Sequence, residues 1–243
     1  MISGLGMDPR KLAALRMAPR FLAERSQFLK ACGRIDRLTP ILSDYADQAG
    51  TARGHYFHQD LLVATLINQA APRRHIDIGS RIDGFVAHVA AFRAIEVIDI
   101  RPLAIDHERI TFLQMDLLRP TEPVEAMADS ISCLHALEHF GLGRYGDAID
   151  PRGHLKAFET LCAMLEPRGV LYISVPIGRA EVCFNAHRVF GARDILGWGQ
   201  DRLVLERFDY VDDAGALHVE ADVSRVPDLD YGCGIYTLRK PAA

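Results

Sequence analysis

Two kinds of polar residue gather at what read as the ends of buried strands. One kind is carboxylate beside glycine: His75-Ile-Asp77-Ile-Gly79-Ser80 runs into a turn bracketed by Gly84, and Ile95-Glu-Val-Ile98 stops at Asp99. The other is imidazole beside carboxylate, in the run Leu134-His135-Ala-Leu-Glu138-His139. A carboxylate at a strand end can accept hydrogen bonds from both hydroxyls of a ribose. Glycines let the backbone approach a ligand where a Cβ would clash. A helix starting at Gly84 would turn its free N–H groups toward the same crevice. A histidine titrates near neutrality, which suits the removal of a proton from an attacking hydroxyl. His139 is the first candidate for that base, with His135 and His187 next. The letters His135-x-x-Glu138-His139 also occur in one class of zinc enzymes. Here they follow a buried strand and no third ligand is apparent, so no metal is expected.

Two further segments carry recognition chemistry. Gly141-Leu-Gly-Arg144-Tyr145-Gly-Asp147 is punctuated by glycine and keeps specific polar groups, as functional loops do. Arg144 presents a fork of donors suited to a carboxylate or phosphate. Tyr145 and Asp147 suit a sugar, by ring stacking and by accepting from hydroxyls. Asn185, His187 and Arg188 form a polar cluster after another strand end. They either reach the same crevice as substrate contacts or cap the next helix, expected near Ala192 to Trp198.

The elements that must position these groups follow from apolar spacing. Short apolar runs predict strands at residues 75–78, 95–98, 110–114, 130–134 and 170–175. Phe85, Val86, Val89 and Phe92 recur at helical spacing, so a helix should start at about Gly84. Another should begin at His58 or Asp60 and end near Pro72. Before it, His55-Tyr-Phe-His-Gln-Asp60 either lines the mouth of a pocket or is an ordinary helix entry. Asp150 and Pro151 suit the N-cap and first position of a helix through Leu155, Phe158, Leu161 and Leu165, ended by Pro167 and Gly169. Residues 203–211 and 216–223 read as strands around an Asp212–Gly215 turn, and 234–239 as a last strand. Alternating strands and helices followed by antiparallel strands predict an α/β fold. Its sheet should be seven-stranded and mostly parallel, with an antiparallel C-terminal hairpin, in a three-layer sandwich.

The chain has 243 residues, is 49% hydrophobic and carries a net charge of −4. Such a charge speaks against non-specific nucleic-acid binding, and no apolar run has the length of a membrane span. Cys32, Cys133, Cys162, Cys183 and Cys233 are scattered and odd in number, which suggests neither a disulfide frame nor a zinc site and fits a reducing cytoplasm. The opening residues lack the apolar core of a secretory leader. Residues 1–56 are expected to form a helical arm and connector, and residues 57–243 the main domain. In the arm, residues 8–32 read as helix broken by Pro19. Arg10, Lys11, Arg16, Arg20, Arg25, Lys30, Arg34 and Arg37 outnumber Asp8, Glu24 and Asp36 there. That arm is either a basic amphipathic contact for a membrane surface or partner, or a helical cap with a solvated basic face. The narrow apolar stripe favours the cap.

The strand–turn–helix–strand from His75 to Asp99 resembles the first two motifs of class I S-adenosylmethionine (SAM) dependent methyltransferases. The resemblance extends by element pattern over roughly residues 57–240. It implies SAM as cofactor, with Asp77, Gly79, Ser80, Gly84 and Asp99 around it, Asp116 beside the adenine and His135 near the methyl group. The run from His135 to Asp147, with Phe184-Asn-Ala-His-Arg188, is similar to an uncharacterised methyltransferase-like family associated with bacterial surface-polysaccharide genes. That likeness implies O-methylation of a glycan or nucleotide-sugar. Arg81 stands where a second glycine is common. It is accommodated if its φ stays negative; otherwise it narrows the pocket and favours a non-catalytic member acting in an assembly complex. A nicotinamide-dependent oxidoreductase is the other rival, against which the first turn lacks G-x-G-x-x-G.

Overall fold

The computed structural model describes residues 14–199 and 202–242, in two compact units, Met1–Ala52 and Arg53–Ala243. In the first unit, a 3₁₀ turn at Leu15–Met17 leads into helix α1, Ala18–Lys30. Pro19 lies in the first turn of α1 rather than breaking it, because the N–H it lacks would be unpaired there anyway. Arg20 Nε donates to Glu24 Oε1 at 2.8 Å, Tyr45 donates to the same carboxylate, and the Arg20 guanidinium sits 4.5 Å above the Tyr45 ring. No residue of α1 is buried. The helix expected before Ala14 falls outside the described residues.

The second unit starts its first helix, α2, at His55 and ends it at Ala70, earlier than expected and inside the stretch assigned to a connector. The reason is tertiary. Gly54, with φ of 92°, is the N-cap, and its N–H donates to Gly215 O at 3.0 Å in the distant hairpin turn. Strands β1 (His75–Ile78), β2 (Ile95–Asp99), β3 (Ile110–Gln114) and β4 (Ala128–Leu134) follow. Between β1 and β2 the expected long helix is instead a π-helical turn, Ile82–Val86, running into a single-turn α3, Ala87–Ala90.

Helix α4 spans Gly153–Met164. Asp150 and Pro151 precede it as a turn rather than capping it, with Asp150 Oδ1 accepting from Arg152 N at 2.8 Å. Pro167 and Gly169 do not end the helix; they lie in β5, Leu165–Ile177, which starts earlier than its apolar run. A small hairpin of β6 (Glu181–Cys183) and β7 (His187–Val189) occupies what read as loop, followed by α5, Asp194–Trp198. The chain ends with β8 (Val204–Val211), the short β9 (Leu217–His218) and β10 (Gly232–Arg239).

The main sheet has eight strands rather than seven, in the order β3-β2-β1-β4-β5-β10-β8-β9. The first five are parallel; β10 inserts antiparallel between β5 and β8, with Ile235 opposite both Ser174 and Asp209. Val63 and Ile67 of α2 and Val86 and Val89 near α3 pack with Ile95, Val97 and Ile235. Phe158 and Leu161 of α4 and Ile195 of α5 pack with Ile131, Ile173 and Tyr236 on the other side. Three layers result. The strand order reverses beside β1, where β2 lies on one side and β4 on the other. The carboxyl ends of β1 and β4 therefore open on a crevice that no sheet neighbour fills.

β1 is buried along its whole length, as a central parallel strand must be. It nevertheless carries His75, whose ring nitrogens lie 2.7 Å from Ser130 Oγ and 3.2 Å from Ser132 Oγ. Burial, with a contribution from Arg93, pushes its pKa from 6.5 down to about 3. The unfolded chain therefore takes up a proton below pH 6.5 that the folded chain refuses until about pH 3. Stability from this group is present above pH 6.5 and is lost as the pH falls through that window. Compared with His75→Asn, the wild type should lose on the order of 1 kcal/mol more stability per pH unit between those values. Urea unfolding across the range measures the difference in slope, and identical slopes would refute it.

Candidate functional site

The crevice is built on a turn that a buried acid holds in place. Asp77 has no exposed surface; its carboxylate accepts from Ser80 N at 3.1 Å, Ser80 Oγ at 2.8 Å and Ser132 Oγ at 2.6 Å. Burial raises its pKa to about 6 despite those bonds. Asp77 thus sits beneath the Gly79 turn and lines no cavity, while Ser80 lies at the edge of the cleft. Gly79 tops the turn with φ of 73°, and its N–H donates to Ile98 O at 2.9 Å. A Cβ there would be strained and would stand 3.1 Å from Ala136 Cβ. Gly84 lies in the π-helical turn, so no long helix starts there to present N–H groups to the crevice. A Cβ on Gly84 would meet Asp60 Oδ2 at 3.1 Å. Arg81 keeps a negative φ of −70°, and its side chain turns outward to Asp83 with Nη2 to Oδ2 at 2.8 Å.

Above Gly79 the crevice divides. A narrow chamber of about 60 Å³ lies among Ile78, Ile98, Leu117, Ala136 and Phe140, with Asp99 and Asp116 at its rim. Asp99 is already paired: it accepts from Arg101 N at 2.8 Å, Arg101 Nε at 3.0 Å and Arg101 Nη2 at 2.6 Å. The same guanidinium lies 4.4 Å over the Tyr145 ring, a cation–π stack. Asp116 Oδ1 accepts from Leu118 N at 2.8 Å, closing a local turn. Beside the chamber is a wider, polar vestibule of about 580 Å³, where Tyr56, His135, His139, Arg144, His187 and Tyr231 are among the lining residues.

The imidazoles differ in setting. His139 Nδ1 lies 2.7 Å from Ala186 O, so that nitrogen carries the proton and Nε2 is bare in the neutral ring. Burial lowers the His139 pKa, with Glu138 pulling the other way. His135 is held in the left-handed region with φ of 48°, its N–H bonded to Ser174 O at 3.0 Å. Its Nδ1 lies 2.9 Å from Glu138 Oε1. Burial opposes a charge on His135, but Cys233 and Glu138 outweigh it and raise its pKa. His187 meets the Tyr231 ring edge-on at 5.2 Å.

Of the residues expected to touch substrate, Arg144 and Tyr145 line the vestibule, and Asp147 reaches the chamber. Asp147 chiefly organises its own loop, accepting from Gly141 N at 2.7 Å and from Gly143 N and Tyr145 N at 3.3 Å. Arg188 does not reach the cleft. It is buried and donates to Phe140 O at 2.7 Å, Glu138 O at 3.2 Å and Pro151 O at 3.4 Å. Asn185 is exposed at the tip of the β6–β7 hairpin and lines neither cavity. Sequence reasoning missed Arg101, Tyr231 and Cys233. Arg101 follows Asp99 by two positions and was legible as its salt-bridge partner; the other two belong to no motif. The spacing Tyr236-x-x-x-Lys240, typical of one dehydrogenase class, lies elsewhere. Tyr236 Oη donates to Ala192 O, and Lys240 Nζ donates to Cys162 O and Leu165 O.

A family model described as "Caenorhabditis protein of unknown function, DUF268" matches residues 87–212. A comparison with curated proteins finds no match. Among solved structures, the N-methyltransferase NodS from Bradyrhizobium japonicum WM9 in complex with S-adenosyl-L-homocysteine is 16% identical with a TM-score of 0.53, over 77% of this chain and 89% of that one. The cyclase SpnF is 15% identical with a TM-score of 0.55, over 80% and 86%. The Burkholderia thailandensis 1,6-didemethyltoxoflavin-N1-methyltransferase, bound to 1,6-didemethyltoxoflavin and S-adenosylhomocysteine, is 14% identical with a TM-score of 0.53, over 97% and 91%. Identities this low speak for fold: the chain has the architecture of class I SAM-dependent methyltransferases. Among the described residues, no helix is long and apolar enough to cross a membrane.

Replacing Arg188 with Met should leave the Glu138 and Phe140 carbonyls buried without donors. That costs about 2 kcal/mol, read as a lower denaturant midpoint. An unchanged midpoint would mean that Arg188 does not hold the loop.

Proposed function

The chain belongs to the family described as "Caenorhabditis protein of unknown function, DUF268", and we propose that it is a SAM-dependent methyltransferase acting on a hydroxyl of a glycan or nucleotide-sugar. One observation carries the reading: Gly79 and Asp99 line a single apolar chamber at the switch point of the sheet. The chemistry of these residues suits a nucleoside, and at about 60 Å³ the chamber widens to take one. Ile98, Leu117 and Phe140 offer apolar walls, Asp99 a diol acceptor, Asp116 an acceptor for an exocyclic amine, and Gly79 an approach without a Cβ. When bound, SAM supplies a methyl group on a sulfonium, open to in-line attack. Arg101 occupies the Asp99 carboxylate, so a ribose exchanges this ion pair for two hydroxyl donors. Asp77 and Ser80 keep the turn rigid from below.

The vestibule supports a sugar acceptor. Tyr56, Tyr145 and Tyr231 provide rings for stacking, and Arg144 a fork of donors for a phosphate or carboxylate. His139 is the base in this reading. Its Nδ1 proton is committed to Ala186 O, and burial keeps the ring neutral. Orienting donor carbon and acceptor oxygen contributes about 7–11 kcal/mol in favourable cases. A second reading, a non-catalytic member of an assembly complex, draws on the Arg101 bond to Asp99; Arg81, turned out to Asp83, does not support it.

Two measurements test the proposal. Calorimetry should show binding of SAM and S-adenosylhomocysteine, and Asp99→Ala should lose it while keeping its thermal midpoint. No heat and no thermal shift at millimolar ligand would favour the non-catalytic reading. With an acceptor in hand, His139→Ala should lower kcat by about 10²–10⁴-fold. Because burial lowers the His139 pKa, wild-type kcat/KM should fall only below the usual imidazole range as the pH drops, and the variant should lack that acid limb. A variant with wild-type kcat and the same acid limb would remove His139 from the role.

A further inference from the structure

Behind the vestibule wall, which His135 lines, three side chains far apart in sequence converge. His55 comes from the start of α2, His135 from just past β4, and Cys233 from β10, so their meeting depends on the inserted last strand. One nitrogen from each ring and Cys233 Sγ lie within 4.8 Å of one another. The two rings face each other, 5.2 Å apart and 7° from parallel. Two of the facing atoms, His135 Nε2 and Cys233 Sγ, lack ordinary partners. His135 Nε2 is buried with no hydrogen bond, on a side chain only 4% exposed. Cys233 has no exposed surface and only long contacts, to Gln59 Oε1 at 3.8 Å and Gly234 O at 3.9 Å. Buried polar atoms are seldom left unpaired, and each instance calls for a cause.

We propose that His55, His135 and Cys233 bind one divalent transition-metal ion of the zinc class, leaving a fourth position for water. Two imidazoles and a thiolate suit such an ion, and three protein ligands with one position free is the catalytic rather than the structural arrangement. The surroundings fit as well. Glu138, itself buried, takes the Nδ1 proton of His135 at 2.9 Å. That bond keeps a proton on Nδ1 and leaves Nε2 facing the cluster, to give up its own proton as the metal binds, in the carboxylate–histidine–metal relay common around bound metals. Ligand bonds of about 2.0–2.3 Å require donors roughly 3.3–3.8 Å apart in a tetrahedral site. The trio therefore closes by about an ångström on binding, and the half-buried His55 ring turns out of its stack so that its in-plane lone pair meets the ion. The sequence hinted at zinc only through His135-x-x-Glu138-His139, and the tertiary structure picks a different trio. Glu138 orients rather than ligates, and His139 is turned to Ala186.

The proposal stands apart from methyl transfer, and its test reads metal rather than turnover. The purified full chain, stripped with a chelator and dialysed, is titrated with Co²⁺ and separately with Zn²⁺. The expected result is one ion per chain, with a thiolate-to-cobalt charge-transfer band that Cys233→Ser abolishes. His55→Ala should weaken Zn²⁺ binding at least about tenfold, and Glu138→Gln by roughly 10–100-fold. His55 is only half-buried, so its variant reports even if Cys233→Ser fails to fold. No cobalt–thiolate band, a band that survives Cys233→Ser, or Zn²⁺ affinity unchanged in His55→Ala would each overturn the site. SAM binding with no metal binding would leave the methyltransferase reading standing alone.

Discussion

The cleft depends on a carboxylate that never sees solvent. Asp77 ties the Gly79 turn to β4 through Ser80 and Ser132, at the only place in the parallel part of the sheet where the strand order reverses. A buried acid with three donors is held firmly, because leaving any one of them unpaired costs about 1–3 kcal/mol. The turn is therefore built before any ligand arrives. Gly79 can take its left-handed φ beside Ala136.

The opposite lip is held by different means. The loop after His139 has no regular structure, so its backbone groups need side-chain partners. Asp147 collects N–H groups from within the loop, and Arg188 reaches in from β7 to collect carbonyls. Both residue types look like ligand contacts in a sequence, and here their charge is spent largely on the protein's own backbone. Arg144 and Tyr145 are left to face the vestibule.

Between turn and loop, His135 holds a backbone conformation that only a few per cent of non-glycine residues adopt. Such outliers persist where surrounding structure compels them, and they gather at functional sites. Ser174 on β5 holds its N–H, and Glu138 fixes its ring. The result aims an unpartnered nitrogen at His55 and Cys233. The three imidazoles of the first shortlist thus part company. His139 is a base candidate, His135 is a ligand candidate, and His187 meets the Tyr231 ring edge-on.

Local patterns were enough for the α/β class, the central parallel strands and the turn at Gly79. Buried strands read as unbroken apolar runs, and glycine and aspartate mark their ends whatever the rest of the chain does. The acids at positions 99 and 116 were legible for the same reason, since a strand end is a local event. What needed the tertiary structure was everything set by pairing across long separations. Helix α2 begins at His55 because Gly215 holds Gly54. The hairpin around Asp212–Gly215 was legible locally, but the strand read at residues 216–223 keeps only Leu217–His218, because only these two residues pair with β8. Arg188 and Asp77 turn inward because buried backbone groups and serine hydroxyls reach them before solvent does. Cys233 meets His55 only because β10 slides between β5 and β8, and neither composition nor spacing carries a trace of that contact.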